Sequence, residues 1–364
     1  MKYYVHIPFC HSKCAYCDFY STPAAEGLKE MFVDSVYGEL HERLGGLEKI
    51  ETLYLGGGTP SSLSRELLCK LISYFQIDDS VKEVTIEANP EDVTDGFARF
   101  VSSLSPVARV SMGVQSMNDG ELSFIGRRHS ASDAENAFHT LRTGGVDNIS
   151  LDLIYGLPGQ SLASWKKSLD KVLALRPEHL SAYLLSYEPQ TRLGVMLSKG
   201  KVQEASAELA EDMYSYLCYA AGKAGYEHYE ISNFALPHYR AVHNSSYWDG
   251  SEYAGLGPGA HSYMNGLRGY NRSSLKDYIA TKGCGVYEED PETEFSRFND
   301  LVITSLRTSS GIPFDVLSAY PESKSVALRL LSAGFLEETL DGHVAIPERL
   351  WLKSDSIMRE LIIV

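Results

Sequence analysis

Three thiol side chains, Cys10, Cys14 and Cys17, crowd into eight residues directly after the extended stretch Tyr3 to Ile7. Soft donors clustered in this way suit an iron-sulfur cluster. Three is the deciding count, because a closed structural zinc site takes four ligands, commonly as two separated cysteine pairs, and no second pair follows. Cys69, Cys218 and Cys284 lie far apart. A [4Fe-4S] cluster held by three thiolates keeps one iron open, and the amino and carboxylate groups of S-adenosylmethionine can chelate that iron. Electron transfer into the sulfonium would then break a carbon-sulfur bond and give a 5′-deoxyadenosyl radical. A Cys3His zinc site using His6 or His11 is the competing reading. A packing role is weaker still, since clustered thiols carry an oxidation risk.

The elements that must position this loop are legible as βα repetition. Tyr3 to Ile7, Thr52 to Leu55, Val84 to Glu87, Arg109 to Gly113, Ile149 to Leu153 and Leu180 to Leu185 read as strands. Glu30 to Leu44, Arg65 to Phe75, Thr94 to Leu104, Ala131 to Thr143 and Leu162 to Leu175 carry apolar residues at helical spacing. Such alternation predicts a parallel sheet with right-handed crossovers, an α/β fold whose six units make a partial (β/α)6 barrel. A seventh extended piece, Tyr226 to Ser232, would add to the sheet. Ligand sites of parallel folds lie at the carboxyl ends of strands. Those ends carry the cysteine loop, Gly56-Gly57-Gly58-Thr59-Pro60, Glu87-Ala88-Asn89-Pro90, Gln115, Asp152 before Gly156-Leu157-Pro158-Gly159, and Ser186-Tyr187-Glu188-Pro189.

The domain reading divides the chain into residues 1–231 as the barrel, 232–290 as an irregular connecting segment rich in Tyr, Gly, His and Asn, and 291–364 as a small winged-helix-like α+β domain. The last rests on helical stretches Phe295 to Leu306, Pro313 to Ala319 and Ser323 to Ala333, then a hairpin from Phe335 to Ile346 turning at Asp341-Gly342. Composition bounds the function. The 364 residues are 44% hydrophobic and 22% charged, ordinary for a globular protein. With 33 basic against 48 acidic side chains the net charge is -15, so nucleic acid is not an expected partner. No apolar run reaches the ~18 residues of a membrane span and the amino terminus has no signal-peptide core, so the expectation is a cytoplasmic protein with reduced thiols.

Tyr4-Val5-His6-Ile7-Pro8-Phe9-Cys10 through Cys17-Asp18-Phe19, the Gly-Gly-Gly-Thr-Pro stretch and Asp152-Leu153-Ile154-Tyr155-Gly156-Leu157-Pro158 resemble radical S-adenosylmethionine enzymes of the oxygen-independent coproporphyrinogen oxidase group, over nearly the whole chain. Within that group the chain is most similar to the haem chaperone branch, HemW. The dehydrogenases of the group carry a further cysteine where this chain has Phe19, and His243-Asn244-Ser245-Ser246-Tyr247-Trp248 fits the His-Asn-x-x-Tyr-Trp motif associated with haem binding in the chaperone branch.

The resemblance implies roles residue by residue. Gly57, Gly58 and Thr59 would let backbone approach the methionyl end of the cofactor. Glu87 would bind its amine or ribose. Gln115, Arg127 and Asp152 match cofactor positions, with Arg127 able to fork a carboxylate and Asp152 able to accept from ribose hydroxyls. Tyr4 and Tyr16 would flank the cluster or cover the adenine. His243 would ligate haem iron, with Tyr247 and Trp248 against the macrocycle. The implied partners are haem, haem-acceptor proteins and an electron donor such as a flavodoxin or ferredoxin. Three functions stay open: a haem chaperone carrying cluster and S-adenosylmethionine, an oxidase decarboxylating coproporphyrinogen III, and a radical enzyme acting on RNA. Phe19 with His243 favours the first. The acidic balance disfavours the third.

Overall fold

A computed structural model describes residues 1–363 except positions 106, 292, 340 and 341. Asp341, on which the expected hairpin turn falls, lies outside the described residues. The six anticipated strands are present as β1 (Lys2–Ile7), β2 (Thr52–Gly57), β3 (Glu83–Ala88), β4 (Ala108–Gln115), β5 (Asn148–Tyr155) and β6 (His179–Leu184), each parallel to the next. Four of the connecting helices begin where side chains cap them. Ser64, Thr94, Ser130 and Ser161 each accept a hydrogen bond from a backbone N–H of the first turn, and Ser130 with Asp133 forms a reciprocal capping box.

Period-two alternation along the strands explains how the sheet curls around a polar interior. Val5, Leu53, Leu55, Val84, Ile86, Val110, Ile149, Leu151 and Leu180 are fully buried in the apolar core. Their neighbours along each strand are polar and bond to one another: Tyr54 to Glu87, Ser111 to Asp152, Ser150 and Arg109 to His179. A strand with one apolar and one polar face has its register fixed, because a one-residue slip would invert every side chain.

The sheet remains open at both ends. Beyond β6 come β7 (Glu227–Glu230) and β8 (Asn233–Ala235), with β8 antiparallel to β6. The seventh extended piece does join the sheet, by way of this hairpin. On the other side, β9 (Tyr253–Leu256) runs parallel to β1 and leads to β10 (His261–Met264), β11 (Leu267–Asn271) and β12 (Tyr287–Glu289). The described strands give the order β12-β11-β10-β9-β1-β2-β3-β4-β5-β6-β8-β7. The expectation of irregular structure over 232–290 is therefore corrected. Short strands separated by tight glycine turns leave no long periodic run to read, yet they cover the edge of β1.

After β12, helix Ser296–Ser305 leads to β13 (Ile312–Pro313), helices Phe314–Ser318 and Pro321–Ser332 follow, β14 (Glu337–Glu338) and β15 (His343–Ala345) complete a small sheet with β13, and helix Ser354–Leu361 closes the described chain. Ile231 N–H donates to Arg307 O and Ser309 N–H donates to Tyr229 O, joining this unit to the β7 end of the sheet. Among the described residues no helix is long and apolar enough to cross a membrane.

Candidate functional site

The carboxyl ends of β1 to β6 surround a cavity of about 440 Å³. Cys10, Cys14 and Cys17 all line it, together with Tyr16, Gly57, Gly58, Thr59, Glu87, Gln115, Arg127 and Asp152. Residues spread over 140 positions of sequence are thus gathered on one rim, as strand-end placement predicts.

The cysteine loop is pinned by backbone bonds. Thr22 N–H donates to Pro8 O at 2.8 Å, Ala15 N–H to Ile125 O at 2.9 Å, and Leu193 N–H to Ala15 O at 2.8 Å. Polar side chains then meet the sulfurs. Thr59 Oγ1 lies 3.5 Å from Cys10 Sγ, and Arg127 Nη1 donates to Cys14 Sγ at 3.5 Å. Burial, with the neighbouring Cys14 and Cys10, pushes the Cys17 thiol up to about 11. A bound cation would offset that burial and hold the Cys17 sulfur as a thiolate.

Two glycines at the carboxyl end of β2 have steric reasons. Gly57 sits at φ +104°, and a Cβ there would fall 2.4 Å from His6 Nδ1. A Cβ on Gly58 would fall 2.8 Å from the carbonyl oxygens of Ile7 and Phe9. Gly57 N–H donates to Glu87 Oε2 at 3.0 Å and Tyr54 Oη donates to Oε1 at 2.8 Å. Burial, reinforced by Asp152, still pushes the Glu87 carboxyl up to about 7. Asp152 accepts from Ser111 at 3.0 Å and from Ser150 at 3.2 Å, and burial raises it too, against the pull of Arg109. Gln115, at φ +66° beside an irregularity in the β4–β5 ladder, holds a strained backbone that aims it at the cavity.

Asn89, just past the end of β3, links the rim. Its Nδ2 donates to Thr59 Oγ1 at 3.0 Å and its Oδ1 accepts from Arg127 Nη2 at 2.5 Å. Arg127 Nη2 also donates to Gly113 O at 2.7 Å, whereas its buried Nε has no partner. An orphaned guanidinium N–H beside the sulfurs leaves a donor for an anionic ligand. Ser181, Tyr183 and Leu184 also line the cavity and carry no motif that marks them, whereas Asn244, which lines it too, comes from the His-Asn-x-x-Tyr-Trp motif.

Two expectations meet a different geometry. Tyr4 does not line the cavity. Being in mid-strand rather than at a strand end, it sits one layer deeper, its ring 5.9 Å from that of Tyr54 and its hydroxyl 3.0 Å from His6 Nδ1. His243 is wholly buried under the amino ends of β2 and β3. Its Nδ1 lies 2.8 Å from Thr52 Oγ1, its Nε2 lies 2.9 Å from Tyr247 Oη, and Glu83 accepts from its backbone N–H. Burial lowers its pKa to about 3, so the ring is neutral. With both nitrogens within hydrogen-bond distance of a hydroxyl, this imidazole closes the barrel floor.

Donor set and cradle fit the cofactors. Three thiols reach one cavity, two glycines leave room that any side chain would fill, and Arg127 and Glu87 supply opposite charges for a zwitterionic ligand. A strand-end thiol loop on an open parallel βα sheet defines a radical S-adenosylmethionine protein, and the Radical SAM superfamily model matches residues 4–172. The chain is 36% identical to heme chaperone HemW of Lactococcus lactis, covering 85% of this chain and 82% of that one. It is 34% identical to heme chaperone HemW of Bacillus subtilis, covering 85% and 84%. The chain belongs to the HemW family of the radical S-adenosylmethionine superfamily. Its fold matches the solved coproporphyrinogen III oxidase HemN of Escherichia coli with a TM-score of 0.82 at 21% identity, over 99% of this chain and 89% of that one. Superfamily membership implies a [4Fe-4S] cluster and S-adenosylmethionine.

Proposed function

We propose that this protein is a haem chaperone that carries a [4Fe-4S] cluster and S-adenosylmethionine and passes haem to acceptor proteins. Support for haem comes from relatives named heme chaperone HemW over most of the chain. Cys10, Cys14 and Cys17 would hold the cluster. Gly57, Gly58, Thr59, Glu87, Gln115, Arg127 and Asp152 would hold S-adenosylmethionine, and Tyr16 would shield the sulfur side. The observation that carries the location of haem is an uncovered apolar lip on the same cavity. Phe19 is 61% exposed, Tyr183 43% and Leu184 42%. Large apolar groups gathered at a cavity mouth, where water would otherwise meet them, suit a flat apolar ligand. Phe19 stands where the dehydrogenases have cysteine, so this lip offers ring area rather than a fourth thiol.

An electron donor and the acceptor proteins would be transient partners, and residues 291–364 read as a winged-helix-like unit beside the sheet. The test is anaerobic reconstitution with iron and sulfide followed by two assays on one preparation. The expected outcome is stoichiometric haem binding without conversion of coproporphyrinogen III. Replacing Phe19 by Ser should weaken haem about tenfold, the loss of about 1.4 kcal/mol of apolar contact. Sustained decarboxylation would instead make the chain an oxidase.

A further inference from the structure

Away from the barrel mouth, a thiol, an imidazole and a carboxylate converge from three separate elements. Cys218 lies on helix Ala207–Lys223, His228 on β7, and Glu348 in the short helical turn Glu348–Lys353 of the tail. One donor atom from each lies within 4.8 Å of the others. Cys218 Sγ is 3.8 Å from His228 Nδ1, and Glu348 Oε1 is 2.8 Å from the same nitrogen. We propose that Cys218, His228 and Glu348 form a divalent transition-metal site, best suited to zinc, that fastens the carboxyl-terminal unit to the β7 edge of the sheet.

The donor chemistry selects the metal. Thiolate, neutral imidazole and carboxylate are the ligand types of four-coordinate zinc, and three protein ligands leave one position for water. The histidine is already arranged as a ligand. Its Nε2 donates to Ile231 O at 3.2 Å, which directs the Nδ1 lone pair toward the sulfur and the carboxylate. Phe234 stacks on the ring at a centroid distance of 4.0 Å and Trp351 abuts it at 4.3 Å, so its orientation is fixed. The His228 side chain is only 7% exposed while that of Glu348 is 57% exposed, which places the open position on the solvent side. Without a metal, a proton on Nδ1 makes this an ordinary histidine-glutamate pair. A cation bound there would release that proton and the Cys218 thiol proton to water, and so recruit the adjacent sulfur as a thiolate.

The test uses the full chain with its [4Fe-4S] cluster reconstituted, so that Cys10, Cys14 and Cys17 are occupied. Cobalt(II) serves as the visible probe because zinc has no d-electron spectrum. One equivalent should bind with a thiolate-to-cobalt charge-transfer band and the absorption of tetrahedral cobalt. Both should vanish in Cys218→Ser and His228→Gln, and Glu348→Gln should weaken binding at least tenfold. Added zinc should raise the unfolding temperature of the parent chain and leave that of Cys218→Ser unmoved. A band that persists in Cys218→Ser, or no thiolate band in the parent chain, overturns the proposal. Should His228→Gln fail to fold, the other two variants still decide the matter.

Discussion

Glu87 shows how one side chain connects the site to stability. Its carboxyl titrates near 7 in the folded chain against an ordinary value of 4.5, chiefly because it is taken out of water. A raised folded value means the contribution to stability is complete below about pH 4.5 and is lost as pH rises through 7. Cofactor-free protein should therefore unfold at progressively lower urea concentration between pH 5 and pH 8. In Glu87→Gln that slope should flatten, and an unchanged slope would place its origin elsewhere. At this scale the cysteine loop was fully legible, since its meaning lies in type and spacing. Glycines 57 and 58 were legible as special, though the collisions that require them, with His6 and with the Phe9 carbonyl, belong to three dimensions. Asn89 was not legible, because its value is a pair of contacts to residues 30 and 38 positions away.

Among elements, the helical turn Val242–Ser245 has the clearest consequence. It is anchored by Glu83, which accepts from the N–H groups of Val242 and His243, and it closes the barrel floor through Thr52. Replacing His243 by Ala would leave the buried hydroxyls of Thr52 and Tyr247 without their partner, at a cost of about 1–3 kcal/mol. The denaturation midpoint should fall accordingly, while the absorption maximum of bound haem stays in place. A shifted maximum with an unmoved midpoint would make the imidazole an iron ligand instead. The six parallel strands were readable because their alternation and turn signals are strong. Helix Ala207–Lys223, which the βα reading does not contain, carries its own signals: Ser206 caps it, and Ala210, Met213, Tyr214, Leu217 and Ala221 form a buried stripe. The strands of 253–289 could not be read, since three to five residues between glycine turns carry too little period.

For the whole molecule, the apolar core is continuous from Tyr3 through Phe298, Leu306, Leu330 and Trp351, so barrel and tail share one contact network. Calorimetry should accordingly show a single cooperative transition, with the calorimetric and van't Hoff enthalpies in agreement. Two resolved transitions would mean that residues 291–364 unfold as an independent body.

The pairing of β9 with β1 puts Lys2 beside Tyr253, and this has a consequence for biosynthesis. β1 leaves the ribosome about 250 residues ahead of β9 and is left half unzipped until that strand follows it. The sulfur-bearing loop hangs from β1, so the nascent protein should remain unable to retain iron until the returning segment docks. Stalled chains ending near residue 240 should lose iron on gel filtration, whereas chains released at full length should keep it.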